Sequence, residues 1–413
     1  MKRIFDPIHR FIELDTNEIA LLDTAPVQRL RRLRQLGLAY LAFPAAEHSR
    51  FGHALGALAM GERILRTLRT RSSSYFASEA DFAGQRRLLR ASLLLHDVGH
   101  GPFSHACEAV LGLPHEKRTA DILALPEIGT ALARLEVDAD DVLDLIVGDP
   151  RGRFPVLREI VSGPNLDADR MDYLLRDSYF TGAGGGSFDS EQLVASLRVY
   201  ETGGTLALGV DIRGVVALES FVLARYLMFS TVYFHHTTRQ FERILQAALR
   251  ETWPDPQALD AIDEFLAWDD FRVLESFRFA TSPAARAVRD RDTLYALVAE
   301  FNSESDLPTF EACASELRER YDDAVWSDSQ EQLMHRFPLT LGSSMPTVRV
   351  GTYAGVTSAT EVSDLIAKLA GSAHWRRLFV ERSRADVEAA RDLCRRISSQ
   401  KGKAAHHRTK SEK

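Results

Sequence analysis

The stretch Leu93-Leu94-Leu95-His96-Asp97-Val98-Gly99-His100-Gly101-Pro102-Phe103-Ser104-His105 decides how the rest of this chain is read. Its apolar start reads as a buried helix, and that helix runs straight into an adjacent His and Asp. A buried ionisable pair is costly unless charged partners or a metal compensate it. One His-Asp pair means little, because a core histidine beside a capping aspartate accounts for most of them. Three histidines and an aspartate within ten residues, with glycines keeping the backbone close, point instead to a site. His96 and His100 share a face if the helix survives one more turn.

Upstream, Glu47-His48-Ser49-Arg50-Phe51-Gly52-His53 leads into a helix of small and apolar residues (Ala54, Ala57, Leu58, Gly61, Leu65), with Arg50 one turn before His53. Further back, Thr24 suits an N-cap and Pro26 a first turn. Val27, Leu30, Leu33 and Leu36 then predict a helix over 25–36, ended by Gly37. Its other side, Arg29, Arg31, Arg32 and Arg34, reads as solvated. Residues 2–14 alternate weakly around Pro7 and predict a short extended segment. A Ser-rich link at 71–74 precedes a helix over 86–98, a new helix begins near Phe103, and a short loop brings His115-Glu116.

Downstream, 121–163 is helical and acidic (Asp138, Asp140, Asp141, Asp144), which predicts solvated surface. In Asn165-Leu166-Asp167-Ala168-Asp169-Arg170-Met171-Asp172-Tyr173-Leu174-Leu175-Arg176-Asp177, helical spacing lines up Asp169, Asp172, Tyr173, Arg176 and Asp177. That stripe reads equally as a surface of internal ion pairs or as the wall of a polyanion pocket. A β-hairpin is predicted over 197–210 around Gly203-Gly204, then a long apolar helix, kinked, over 215–249 that places Arg225 and Tyr233 on nearly one stripe. Trp253-Pro254-Asp255-Pro256 marks the best internal boundary. Beyond it the chain mixes short helices (256–268, 284–301, 310–321) with strand-like runs at 347–350 and 377–380. The Lys- and His-rich end from 398 lacks apolar periodicity and predicts disorder. The division expected is 1–252, 253–396 as a supporting or oligomerising region, and a basic tail at 397–413.

With 413 residues, 45% apolar, 26% charged and a formal charge of −7, the composition is that of an ordinary globular protein. The acidic balance does not indicate a nucleic-acid binder driven by bulk charge. The sequence is expected to hold no apolar run near bilayer length and no signal-peptide core, so no membrane partner is expected. Cys107, Cys313 and Cys394 lie far apart, fit neither a disulfide framework nor a zinc ribbon, and read as reduced. A cytoplasmic enzyme is the expected class.

His53, His96, Asp97 and Asp169 form a candidate ligand set: two imidazoles and two carboxylates suit iron, manganese or magnesium. Four ligands on a six-coordinate ion leave open positions, as a catalytic site needs. Arg50, His100, His105, His115, Arg170, Tyr173 and Arg225 surround them in the reading, mostly donors to anionic oxygen. So many donors point to an oligophosphate.

The series His53, His96-Asp97, Asp169 resembles the HD-domain metal-dependent phosphohydrolases. Asp6-Pro7-Ile8-His9, Gln28-Arg29-Leu30-Arg31, Gln35-Leu36-Gly37, the stretch from His48 to His53, the stretch from His96 to His105, and the stretch from Asp167 to Tyr173 narrow the likeness. Together they are similar to the deoxynucleoside triphosphate triphosphohydrolases over roughly 3–250. The resemblance implies a mainly α fold, an HD-domain helical core with a small β-hairpin and a mixed α/β C-terminal region. It implies cleavage of a deoxynucleoside triphosphate into deoxynucleoside and intact triphosphate by a homo-oligomer, with a second magnesium accompanying the substrate phosphates.

Carried over by position, His53, His96, Asp97 and Asp169 would be metal ligands. His105 would be the general acid towards the leaving 5′ oxygen, with His100 and His115 near the phosphates. Arg50, Arg170, Tyr173 and Arg225 would hold the triphosphate. Gln35, Asp177 and Tyr233 would complete the substrate pocket, with Gln35 and Asp177 facing the sugar. The chain departs from the family at Arg10, commonly Gly, and at His236, commonly lysine. Asp23, Gln28 and Arg31 match positions that bind an activating nucleotide in regulated members, but Phe5 replaces an asparagine of that site, which weighs against nucleotide activation. The competing readings are another HD-superfamily nucleotide phosphatase, phosphodiesterase or single-strand nuclease, and a nucleotide-sensing module without turnover.

Overall fold

In this computed structural model the described residues are 1–148, 152–202, 204–253, 255–333, 348–370 and 372–411. The fold is mainly α, with its largest core built on three helices: Arg50–Arg71, Glu79–Leu95 and Ala168–Thr181. Each starts at a side-chain cap. Ser49, Ser78 and Asp167 accept hydrogen bonds from the backbone N–H of Gly52, Asp81 and Arg170, satisfying donors that a helix start leaves open. Small residues let the helices approach closely. A Cβ on Gly61 would lie 2.2 Å from Leu93 Cδ1, so any larger residue would have to displace that leucine where the first two cross.

Residues 2–14 form an antiparallel hairpin, Lys2–Asp6 and Arg10–Leu14, whose inward Ile12 and Leu14 are buried. Its turn keeps a left-handed backbone at Arg10 (φ 67°), the geometry that favours glycine. The predicted second hairpin forms from Leu197–Thr202 and Thr205–Asp211; Thr205–Asp211 pairs in parallel with Arg349–Thr352, which turns back into Gly355–Ser358. A three-stranded antiparallel sheet, with Ser372–Glu381 between Tyr295–Phe301 and Val325–Leu333, carries its own core with the Leu307–Tyr321 helix. The strand expected at 377–380 lies inside Ser372–Glu381. That expected at 347–350 begins at Arg349, and Thr347 lies outside the described residues.

Several expectations need correction. The helix predicted over 25–36 ends early, as Ala25–Arg29 plus a 3-10 turn, Leu30–Arg32. Arg34 then bridges to Ser49, and its N–H donates to Asp270 (2.8 Å), which pulls the backbone out of the helix. Nor is its arginine face wholly solvated. Arg29 is buried and donates to the carbonyls of Trp268 and His100, both at 2.9 Å.

The helix predicted over 86–98 spans Glu79–Leu95. It stops before His100, so His96 and His100 are brought together by a turn instead of a shared helical face. The long apolar helix is interrupted as foreseen, into Val215–Met228, a π-helical turn Phe229–Tyr233, and His236–Thr252. Its first part corrects the membrane-length expectation, since an 18-residue stretch within Ile212–Tyr233 has a mean hydropathy of 1.5, long and apolar enough to cross a bilayer. Half of that window is buried inside the molecule, however, with Leu218, Phe221 and Val222 in the main core.

The helix predicted over 284–301 ends at Asp290, where Arg291 turns left-handed (φ 55°), and Tyr295–Phe301 pairs as a strand. The tail expected to be disordered continues a helix, Val387–Ser411, in a run rich in Arg, Lys and Ala that holds no proline. All three cysteines are buried and none is in a disulfide.

Candidate metal centre

His53 sits on the first turn of the Arg50–Arg71 helix, His96 caps the Glu79–Leu95 helix, and Asp169 lies in the first turn of Ala168–Thr181. Three helix ends thus meet at one point. His53 Nε2 lies 3.2 Å from His96 Nε2 and 2.9 Å from Asp169 Oδ1, and His96 Nε2 lies 3.7 Å from the same oxygen. Two ligands at ~2.1 Å from one ion at a right angle would sit about 3 Å apart, so the spacing suits a shared cation.

The far side of each ring fixes its tautomer. His53 Nδ1 meets Asp172 Oδ2 at 2.7 Å, and His96 Nδ1 meets the Leu93 carbonyl at 2.8 Å. With Nδ1 tied to these acceptors, each ring when neutral presents an Nε2 lone pair inward, as metal ligands do. Asp97 stands at the margin. Its Oδ1 is 3.5 Å from His96 Nε2 and 3.4 Å from His100 Nε2, while Oδ2 accepts from Arg50 Nη1 at 2.6 Å.

The charges also fit a divalent ion. With the histidines neutral, the buried carboxylates Asp6, Asp97 and Asp172 and the half-buried Asp169 outnumber the guanidiniums Arg50 and Arg176 by two. Burial by itself would depress His53, but hydrogen bonds to Asp169 and Asp172 outweigh it and push it up to about 10. Burial would raise Asp97, yet Arg50, His96 and His100 hold it well below the usual carboxylate range. This is a site built for positive charge.

Beside it, Glu108 Oε1 lies 3.3 Å from His100 Nδ1 and 3.0 Å from His115 Nδ1, and the two imidazoles stack at 4.1 Å. Stacked rings cannot both point a nitrogen in-plane at one ion, so this trio suits proton handling better than metal binding. Burial, with Arg50, pushes His100 down. His115 is pushed up because Glu108 outweighs its burial. His105 begins the His105–Leu111 helix next to them, and its side chain lies outside the described residues.

The expected substrate residues divide into groups. Arg170, Tyr173 and Arg225 are near enough to perturb one another electrostatically. Arg170 donates to Asp167 and to the Gly163 carbonyl, and Arg225 lies buried with its Nε unpartnered among the described residues. Asp177 joins the other side: Oδ2 accepts from Tyr233 at 2.9 Å and Oδ1 meets His48 Nε2 at 2.7 Å. Gln35 is beside His48, its N–H donating to the His48 carbonyl. Arg50 is drawn elsewhere, to Asp97 and to the Ser104 hydroxyl (2.6 and 3.0 Å), so it braces a candidate ligand.

Sequence reasoning did not assign Glu108, His48, Ser104 or Asp270 to the site, and took Asp172 and Arg176 only as members of a stripe. Glu108 carried one signal, its place three residues after His105 and therefore on the same side of a helix.

Residues 50–154 match the HD domain family and residues 188–325 match the HD associated region. An uncharacterized protein of Methanocaldococcus jannaschii is 33% identical over 303 residues, covering 71% of this chain and 59% of that protein. Deoxynucleoside triphosphate triphosphohydrolase SAMHD1 of Danio rerio is 28% identical over 290 residues, covering 62% of this chain and 46% of that protein. The chain spans about half the length of such curated relatives. A crystal structure of a hypothetical protein from Aquifex aeolicus superposes with a TM-score of 0.81 at 30% identity, covering 95% of this chain and 99% of that one.

Proposed function

Because this chain belongs to the HD-domain family that carries an HD-associated region, we propose that it is a metal-dependent phosphohydrolase, and specifically one that splits deoxynucleoside triphosphates into deoxynucleoside and inorganic triphosphate. The observation that carries this reading is the convergence of His53 Nε2, His96 Nε2 and Asp169 Oδ1, each imidazole locked from behind. Asp97 completes the proposed ligand set by a small turn away from Arg50. A divalent ion bound there would lower the pKa of a water and offset charge on phosphoryl oxygens.

The chain's own residues then have separate tasks. Arg170, Tyr173 and Arg225 donate to the triphosphate; the buried, unpartnered Nε of Arg225 supports this, since such a donor awaits an acceptor. Asp177 and Tyr233, with His48 and Gln35 behind them, form the wall towards the sugar. His105 gives its proton to the departing 5′ oxygen, and Glu108 steadies His100 and His115 at the phosphates. A second magnesium would travel with the substrate. The named activity of the Danio rerio relative supports the triphosphohydrolase reading over other phosphohydrolases.

The deciding experiment incubates the purified chain with each dNTP and NTP under Mn²⁺, Fe²⁺ or Mg²⁺ and separates the products by chromatography. Inorganic triphosphate with free deoxynucleoside is the expected pair. Release of orthophosphate or a nucleoside monophosphate would move the chain to another HD-family reaction, and no turnover with tight nucleotide binding would make it a sensor.

A further inference from the structure

Behind the candidate centre runs a second set of contacts that the proposed reaction leaves unused. Asp172 is fully buried and both its oxygens are shared: Oδ2 between His53 Nδ1 (2.7 Å) and Arg176 Nε (2.9 Å), Oδ1 between His9 Nε2 (2.7 Å) and Arg176 Nη2 (2.9 Å). The remaining nitrogen of Arg176, Nη1, donates to Asp6 Oδ2 at 2.9 Å. The other oxygen of Asp6 accepts the N–H groups of Ile8 and His9, both at 2.9 Å, and so shapes the hairpin turn itself. The turn of the N-terminal hairpin and the back of His53 therefore grip one carboxylate, although 163 residues separate His9 from Asp172.

We propose that the N-terminal hairpin is a positioning element of the metal centre, with Asp6 and His9 as positioning residues that hold His53 through Asp172 and Arg176, so that metal binding and hairpin docking reinforce each other. The proposal rests on the reading of His53, His96 and Asp169 as a metal-binding set. The geometry gives its direction. A carboxylate fixed by four donors can hold the Nδ1–H of His53 in one orientation, which keeps Nε2 aimed inward. Remove the His9 donor and Asp172 can turn towards Arg176 alone, leaving His53 less firmly oriented. Linkage requires the converse: whatever the docked hairpin adds to metal affinity, the metal adds to hairpin docking. Ile12 and Leu14 anchor the hairpin in the core independently, so losing the polar grip leaves it folded in place.

The test uses the full chain and Mn²⁺, with affinity read by isothermal titration calorimetry and docking by amide hydrogen exchange over residues 2–14. His9→Ala and Asp6→Asn are expected to weaken Mn²⁺ binding by about 10-fold, the usual effect of losing such a supporting contact. His9→Gln, which retains a donor, should recover much of the loss. Arg3→Ala removes only the exposed Arg3–Glu13 pair of the same hairpin and should leave affinity unchanged. In the parent, Mn²⁺ should slow exchange across the hairpin, an arm that decides the question even if a variant fails to fold.

Parent-like affinity in His9→Ala, equal weakening in His9→Gln and His9→Ala, or hairpin exchange indifferent to Mn²⁺ would overturn the coupling while leaving the metal centre standing. A parent chain that binds no Mn²⁺ would remove the metal reading first, and the coupling with it.

Discussion

Gly56 shows how little freedom the centre leaves. A Cβ there would fall 2.0 Å from Asp172 Oδ1 and 2.1 Å from Arg176 Nη2, inside the buried ion pair that orients His53. Gly56→Ala must therefore push the helices Arg50–Arg71 and Ala168–Thr181 apart or break that pair. Overpacking a tight core and stripping a buried charge of its partner each have a known scale, so the expected loss is about 3 kcal/mol in urea unfolding. Metal content should fall with it; a variant as stable as the parent would mean the helices yield at this crossing.

The same residues mark what sequence could tell. His53, His96 and Asp169, which the fold brings together, could be singled out as candidate ligands because few residue types ligate a cation; Asp97 was singled out with them but lies against Arg50. Asp172 and Arg176 were not assigned, because an i, i+4 carboxylate–guanidinium pair looks alike whether its helix faces water or core. Here it faces core, and Arg176 is among the largest fully buried side chains.

Among the elements, the turn between the Glu79–Leu95 and His105–Leu111 helices carries backbone strain at two successive residues. Phe103 and Ser104 both take left-handed backbone (φ 54° and 52°), a conformation costly for residues with a Cβ. Two contacts hold the turn: Asp270 Oδ1 accepts the Phe103 N–H at 2.8 Å, and the Arg50 guanidinium grips the Ser104 hydroxyl. Asp270 Oδ2 also takes the Arg34 N–H, so one buried carboxylate from the Asp270–Phe277 helix pins two loops beside the site.

Asp270→Ala would orphan two N–H groups. At roughly 1–3 kcal/mol for each unsatisfied buried donor, a loss of about 3 kcal/mol is expected on thermal or urea unfolding, with Asp270→Asn intermediate because it retains one acceptor. If Asp270→Ala unfolds like the parent, water replaces the carboxylate and the turn needs no clamp. Sequence could not foresee this contact, since 167 residues separate its two ends. It also explains why the predicted 25–36 helix failed: apolar spacing favoured a helix, but a tertiary acceptor took the Arg34 N–H. At 295–301 the error had another source, as short apolar runs suit a helix or a strand alike until pairing decides.

At the scale of the whole molecule, residues on both sides of Trp253, from Phe241 to Phe277 and Val288, share one apolar cluster with Phe103 and Cys107. Composition marks the break in the chain but carries no record of which surfaces meet. A second such junction joins the hairpin Leu197–Thr202/Thr205–Asp211 to Arg349–Thr352, and Glu159 of the Pro155–Ser162 helix sits against it. Its Oε2 accepts the Leu208 N–H at 2.5 Å, while Arg349 stays 3.8 Å away.

Burial dominates over these partners and pushes the Glu159 carboxyl up to about 7. The folded chain therefore holds this proton more tightly than the unfolded chain does. Its contribution to stability is full below the ordinary glutamate range and is lost as pH rises through about 7. Glu159→Gln keeps an acceptor for Leu208 without the charge. It should match the parent near the ordinary glutamate pKa and exceed it at pH about 8 by on the order of 2 kcal/mol. Urea midpoints of both proteins across that range would read the difference directly. Parallel curves would mean that Glu159 ionises as it does in water, and that the seam between the helix and the sheet is wet.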